Sequence, residues 1–246
     1  MQLILLAAGR GSRLPKNFRN QPKCLVKLNN KTILEHNKNF FDKFKKKIIV
    51  TGYKRTKLKK FIKNNNFNEV FNSEYKNTNM VHSMFLAKNK IKEDLVICYG
   101  DVIFNENILE IFRRKVNIMP VNINWLKLWQ LRMSKKKIIK DAENIEIKDM
   151  KLRSIGGKIE KGYPDAQYMG IIKVTYKSYL NMYKFFQKNL DPKIDMTNFL
   201  NLCLKKKILN INCKNYKSWW FEIDNGRDIK VSSKLIKKQE SKLKQN

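Results

Sequence analysis

The sequence predicts an α/β fold: a doubly wound, mainly parallel mixed sheet with a small β-hairpin insertion. Two observations predict it. Strand and helix patterns alternate down the first half of the chain, and several apolar strand runs end abruptly in a glycine or an aspartate. At 246 residues, 42% of them hydrophobic, the chain fits one domain with a sizeable core.

The elements follow in order. The apolar run 3–6 is too short to span a membrane and reads as a buried first strand. Residues 32–44 read as a helix, with Ile33, Leu34, Phe40, Phe41 and Phe44 as its apolar positions. A strand at 47–51 ends at Gly52, residues 56–63 are helical, and 69–71 form a short strand. A helix at 79–87 precedes the fully apolar strand 94–99, which is bounded by Gly100-Asp101. The strand 116–123 continues the pattern.

Residues 125–165 differ. Segments 143–148 and 151–159 read as a hairpin, with Gly156-Gly157 bending the second arm, inserted over one end of the sheet. A strand at 168–174, helices near 176–188 and 196–204, strands at 208–213 and 219–223 and a helix from Asp228 complete a domain of residues 1–238. Residues 239–246 read as a solvated, frayed tail.

Composition excludes several classes. Cys24, Cys98, Cys203 and Cys213 show no CxxC spacing and read as buried free thiols of a reducing, cytoplasmic compartment. His36 and His82 are too few and too far apart for a zinc site or a Ser-His-Asp triad. No signal peptide or membrane span is expected. The net charge of +32, from 53 Lys+Arg against 21 Asp+Glu, raises nucleic acid or an anionic membrane as a partner. The lysines are scattered over nearly every predicted helix, and the runs 45–47, 135–137 and 205–207 sit at element ends, where lysine offsets the helix dipole. Neither a dedicated nucleic-acid partner nor a membrane is therefore expected.

The turn after the first strand carries the chemistry. It reads Leu6-Ala7-Ala8-Gly9-Arg10-Gly11-Ser12-Arg13-Leu14, with Pro22-Lys23 further on. Two glycines let the backbone turn tightly and bring its N–H groups against a polyanion, and Arg10, Arg13 and Lys23 add positive charge. This suggests a nucleoside triphosphate. The loop lacks the Gly-Lys-Ser/Thr ending of a P-loop, and Leu14 stands where a dinucleotide fingerprint needs a third glycine. An ordinary surface turn is the competing reading. Asp101 and Asp224 each follow an apolar strand at the carboxyl edge of the sheet, where ligands of open α/β sheets bind. Each alone reads equally as a helix cap or turn residue. Together, facing a basic loop, they could hold Mg²⁺ against phosphate oxygens.

The segments 6–14 and Pro22-Lys23-Cys24-Leu25, followed by Gly100-Asp101, resemble the nucleotidyltransferase family, the Rossmann-like (GT-A-like) group that makes NDP-sugars and CDP-alcohols. Further stretches look like its bacterial phosphocholine cytidylyltransferase branch: Thr78-Asn79-Met80-Val81-His82-Ser83, Trp125 with Trp129 and Arg132, Asp141-Ala142-Glu143, Gln167-Tyr168-Met169-Gly170, Asp195-Met196-Thr197 and Trp220-Phe221-Glu222-Ile223-Asp224. The resemblance implies that residues 6–13 with Lys23, Asn79, Ser83 and Gly100 bind the nucleotide. It implies that Arg13 and Lys23 bind charge on the phosphates and in the transition state, and that Asp101 and Asp224 ligate Mg²⁺. The segment 15–21 lacks the family's usual acidic or threonine-containing form.

The implied reaction is CTP plus a phosphorylated acceptor such as phosphocholine giving a CDP-linked product and pyrophosphate. Trp125, Trp129, Tyr168 and Trp220, with Glu143 and Glu222, are the expected acceptor-binding residues. Aromatic faces attract quaternary ammonium groups. Core packing is the competing reading, and Trp125 and Trp129, at i and i+4, fit one buried helix face. If 219–223 is extended, at most one of Trp219 and Trp220 faces the site. The alternatives are a 2-aminoethylphosphonate cytidylyltransferase, a sugar-1-phosphate nucleotidyltransferase and, outside enzymes, a basic nucleic-acid-binding protein on the same fold. A homodimer is left open.

Overall fold

In the computed structural model, which describes residues 1–159, 162–188 and 191–243, the first half of the chain runs β1 (Gln2–Ala7), β2 (Lys27–Leu28), β3 (Lys31–Thr32), α1 (Ile33–His36), α2 (Lys38–Asp42), β4 (Lys47–Thr51), α3 (Lys59–Asn64), β5 (Phe67–Phe71), α4 (Met80–Leu86), β6 (Leu95–Tyr99) and β7 (Val102–Phe104). The second half runs β8 (Ile118–Asn122), α5 (Trp125–Gln130), α6 (Lys135–Asp141), β9 (Ile145–Lys148), β10 (Lys151–Ile155), β11 (Gln167–Tyr168), β12 (Ile171–Val174), α7 (Tyr176–Phe186), α8 (Met196–Lys205), β13 (Asn212–Tyr216), β14 (Trp220–Glu222) and α9 (Gly226–Leu243).

The central sheet has the order β5-β4-β1-β6-β12-β8-β13-β10-β9, with β11 also on β8. From β5 to β6 every pairing is parallel, as βα alternation dictates. β12 then enters antiparallel between β6 and β8, and β13 returns parallel to β8. The predicted hairpin forms as β9–β10. It extends the sheet edge beside β13 rather than covering one end.

β1 explains the two-sided core. Its side chains alternate between faces. Ile4 and Leu6 join Ile48, Val50 and Ile97 under α4, α7 and α8. Leu3, Leu5 and Ala7 join Ile49, Val96, Phe40 and Phe41 on the opposite face. A strand buried on both faces reads as a continuous apolar run, which is how it was legible.

Several predicted elements are subdivided, each for a physical reason. The helix expected at 32–44 splits at Asn37 (φ −95°, ψ 8°), whose side chain donates to Val102 O at 2.7 Å. Its start carries a capping box between Thr32 and Glu35. The strand expected at 168–174 breaks at Gly170 (φ +71°), where an added Cβ would lie 2.8 Å from the Tyr99 ring. The strand expected at 208–213 forms later, at 212–216, because the ladder to β8 pairs Asn212 with Ile118. The final helix continues through residues 239–243, which the sequence reading gave to a frayed tail, and 244–246 lie outside the described residues.

β7 and β14 do not join the main sheet. They form their own antiparallel ribbon, Glu222 opposite Val102 and Trp220 opposite Phe104. A third small core holds this ribbon to the loop after β1: Leu14, Val26, Leu28 and Ile33 pack with Ile103, Phe221, Ile223 and Ile236.

Leu5 is fully buried at the centre of the sheet. Leu5→Ala is expected to lower the unfolding free energy by about 2–5 kcal/mol in urea denaturation. A loss below about 0.5 kcal/mol, the level of an ordinary surface change, would contradict this placement.

Candidate active site

The ribbon is what brings the two predicted aspartates together. Asp101 precedes β7 and Asp224 follows β14, and Ile223 N donates to Asp101 O at 3.0 Å across the ladder. Lys23 enters from the other side, on a 3-10 turn (Lys23–Leu25) begun by Pro22 at φ −55°. The glycine loop folds against it: at Gly11 (φ +63°) an added Cβ would lie 2.8 Å from Leu14 and 3.2 Å from the Lys23 side chain.

Lys23 Nζ donates to Asp101 Oδ2 and Asp224 Oδ1, each at 2.5 Å, and Arg13 Nη2 donates to the same Asp224 oxygen at 2.8 Å. Glu222 completes the cluster. One oxygen each from Asp101, Glu222 and Asp224 lies within 4.8 Å of the others. The charges shift one another's titration. Burial by itself would lower the Lys23 pKa, but Asp101, Asp224 and Glu222 outweigh it and hold the ammonium protonated. Burial would likewise raise Asp224, yet Lys23, Arg13 and Arg132 keep it below its ordinary value. Glu222 takes the cost: burial first, then Asp224 and Asp101, push its carboxyl up to about 8.

The cluster fits a divalent ion on its own geometry. Asp101 Oδ1 is buried and accepts no hydrogen bond. The donors are all carboxylate oxygens, the hard set that Mg²⁺ takes together with water and phosphate. The sequence reading named two of these carboxylates as metal ligands and assigned Glu222 to the acceptor. The structure puts Glu222 with both.

Two cavities meet at this cluster. The first, about 140 Å³, is lined by Leu6, Ala7, Ala8 and Gly9, by Lys23, Gly100 and Asp101, and by Thr78, Asn79 and Ser83 with Tyr75 and Tyr99. Most of the predicted nucleotide-binding residues therefore line one cleft. Arg10, Gly11 and Ser12 do not line it; Arg10 is exposed and lies over the Tyr53 ring at 5.7 Å. Arg13 lines the second cavity instead, beside Asp224. Tyr75 and Tyr99 are not among the site residues the sequence predicts: Tyr75 falls in no motif, and Tyr99 reads as the last residue of the apolar strand before Gly100-Asp101.

The second cavity takes Trp129, Tyr168, Glu143, Trp220 and Glu222, as expected of the acceptor residues, and adds Arg132, Lys137 and Asp195. Trp125 is a correction. It is 1% exposed, packs edge-on against Trp129 and donates its Nε1–H to Pro164 O at 3.0 Å, so it belongs to the core. Trp219 and Trp220 separate to opposite sides, as alternation requires: Trp219 stacks on Phe221, while Trp220 faces Trp129 at 6.2 Å.

Arg132, part of a quoted motif but not a predicted site residue, proves central to this wall. Its guanidinium lies 4.9 Å over the Trp129 ring, pairs with Asp228 at 2.9 Å and donates to Glu222 O at 3.3 Å. Asp228 also accepts from Asp224 N (2.9 Å) and Asn225 N (3.0 Å), tying the start of α9 to the carboxylate cluster. The four cysteines are free and buried, and burial pushes the Cys24 thiol up to about 12, far from a reactive thiolate.

Two measurements check this placement. Trp125→Ala is expected to cost about 3–5 kcal/mol of stability in chemical denaturation, as for a large core aromatic. Glu222 keeps its proton to about pH 8 when folded but loses it near 4.5 when unfolded, so its cost to stability accumulates between those pH values. Glu222→Gln is therefore expected to gain stability over the parent protein from pH 5 to 8 and to level off above. A pH-independent difference would refute the assignment.

The family model of the MobA-like NTP transferase domain matches residues 3–121. The chain is similar along nearly its whole length to the CTP:phosphoglutamine cytidylyltransferase of Campylobacter jejuni: 30% identity over 252 residues, covering 94% of this chain and 98% of that protein. Solved structures of the same fold include the inositol-1-phosphate CTP transferase from T. maritima, with TM-score 0.74, 16% identity and 95% of each chain covered. They also include the CTP:phosphocholine cytidylyltransferase from Streptococcus pneumoniae, with TM-score 0.75, 18% identity and 96% and 98% covered. On that full-length likeness, and on the fold shared with these solved structures, the chain belongs to the nucleotidyltransferase family.

Proposed function

We propose that this protein transfers a cytidylyl group from CTP to a small phosphorylated acceptor, releasing pyrophosphate, with Mg²⁺ as cofactor. One observation carries the reading: the Lys23–Asp101–Asp224 cluster stands where the two cavities meet, Asp101 lining the first and Asp224 and Glu222 the second. A reaction joining two phosphorylated substrates needs its charges at such a junction. The choice of CTP is supported by the relative from Campylobacter jejuni, a cytidylyltransferase by name.

The chemistry asks little of general acid or base. An acceptor phosphate oxygen is already ionised, so it attacks the α-phosphorus of CTP without surrendering a proton. The bond from that phosphorus to the oxygen bridging to the β-phosphorus breaks, and its electron pair leaves with pyrophosphate. The protein contributes alignment and neutralisation of charge. The start of the glycine loop, Ala8-Gly9, brings backbone to the first cavity, where its N–H groups would meet the triphosphate. Lys23, kept protonated by its carboxylate neighbours, supplies a fixed positive charge. Asp101, Asp224 and Glu222 would hold Mg²⁺, which when bound draws phosphate oxygens together and spreads their charge.

The lysines are scattered along the sequence, whereas Arg13, Lys23 and Arg132 gather at the two-cavity site. Phosphocholine, 2-aminoethylphosphonate and phosphoglutamine are all acceptors of suitable size and phosphoryl chemistry.

Asp101→Asn and Asp224→Asn are each expected to lower pyrophosphate release from CTP and a phosphorylated acceptor by roughly 100-fold or more, about 3 kcal/mol of barrier. Replacing Mg²⁺ by chelator should remove the activity, and CTP should outperform ATP, GTP and UTP. Near-normal release by both aspartate variants would overturn the reading.

A further inference from the structure

The second cavity is lined by further carboxylates, Glu143 and Asp195 among them. Glu143 and Asp195 come from distant segments, one before β9 and one at the start of α8, and meet at Thr197. The Thr197 hydroxyl lies 3.0 Å from Glu143 Oε1 and 3.1 Å from Asp195 Oδ1. It has a single proton to offer two carboxylates, of which Asp195 also caps α8, accepting from Asn198 N at 2.8 Å and Asn198 Nδ2 at 2.7 Å. Neither carboxylate has an ion-pair partner among the described residues, in a chain of net charge +32. Glu143 is also held in place through its backbone, which exchanges two hydrogen bonds with the Gln167 amide at 2.7 and 3.3 Å. Its carboxyl is raised by burial and by Asp195, and a cation arriving between them would offset the repulsion and favour the charged form.

A second observation points to a ligand in the same cavity. Trp220 lines it, is 2% exposed, and its indole N–H has no acceptor. A buried donor left unpaired is costly, and a bound acceptor atom would satisfy it. Two of the rings expected to meet a quaternary ammonium are taken: Arg132 covers the Trp129 ring, and Trp125 is withdrawn into the core.

We propose that Glu143 and Asp195, bridged by Thr197, form the seat for a primary ammonium group on the acceptor, with Trp220 Nε1–H donating to an oxygen beside it. The acceptor is then an aminoalkyl or amino-acid phosphate, selected against its N-trimethylated counterpart. A primary ammonium brings three N–H donors to carboxylate oxygens, whereas a trimethylammonium brings none and holds the carboxylates apart. The inference takes the phosphoryl end of the acceptor from the transfer reaction proposed above and deepens that reading.

The test compares phosphoethanolamine with phosphocholine, which differ only in N-methylation, by calorimetric titration of the full chain with α,β-methylene-CTP and Mg²⁺. Phosphoethanolamine is expected to bind at least tenfold tighter, and Glu143→Gln and Asp195→Asn are each expected to erase that preference. Thr197→Ser, which keeps the bridging hydroxyl, should retain it. Equal or tighter binding of phosphocholine, no measurable binding of phosphoethanolamine, or variants that keep the parent preference would each overturn the seat. The comparison of the two probes on the parent protein stands even if a variant fails to fold. Pyrophosphate release is measured separately with all four nucleoside triphosphates: its absence would sink the transfer reading while leaving the binding preference to be judged.

Discussion

Three carboxylates within 4.8 Å of one another are mutually repulsive, and the ammonium of Lys23 makes the arrangement tenable. Much of the site's architecture serves that contact. The small core of Leu14, Val26, Ile103, Phe221 and Ile223 clamps the loop after β1 to the β7–β14 ribbon, so lysine and aspartates approach on rigid supports. Arg13 and Arg132 add the remaining positive field around Asp224. The residual strain is electrostatic and falls on Glu222, the carboxylate with the least compensation.

The parallel half of the fold is legible in the sequence because its signals are local. β1, β4 and β6 are buried on both faces, and each ends in a short polar or glycine-bearing turn, so a short apolar run with an abrupt end marks them. The first cavity is legible for the same reason, since residues 6–9, Lys23 and Gly100-Asp101 fall in compact motifs. What escaped depends on pairing across the chain. No local pattern separates a main-sheet strand from the separate β7–β14 ribbon, and the union of Arg132 with Asp228 joins residues remote in sequence. The two tryptophans of α5 show the limit well. Their spacing gives a common buried face, but only the tertiary contacts decide that Trp129 borders the cavity and Trp125 the core.

The two cavities also differ in how they are built. The first uses backbone turns and small side chains of the parallel strands, a surface set by the fold itself. The second is assembled from α5, α6, the start of α8 and the segment after β14, with charges of both signs. Variation in those later segments alters the second wall while the first remains in place.

The buried pair of Arg132 and Asp228 gives that division a mechanical boundary. Asp228 grips the backbone at Asp224 and Asn225, and Arg132 reaches from Trp129 to the backbone of Glu222. Wall and carboxylates thus form one brace, and reshaping the pocket at Trp129 would tug on the supports of the carboxylate cluster itself. The residues around 137–143 and 195–197 stand outside the brace. A lineage changing its acceptor has room to explore there first, with the reaction centre left undisturbed.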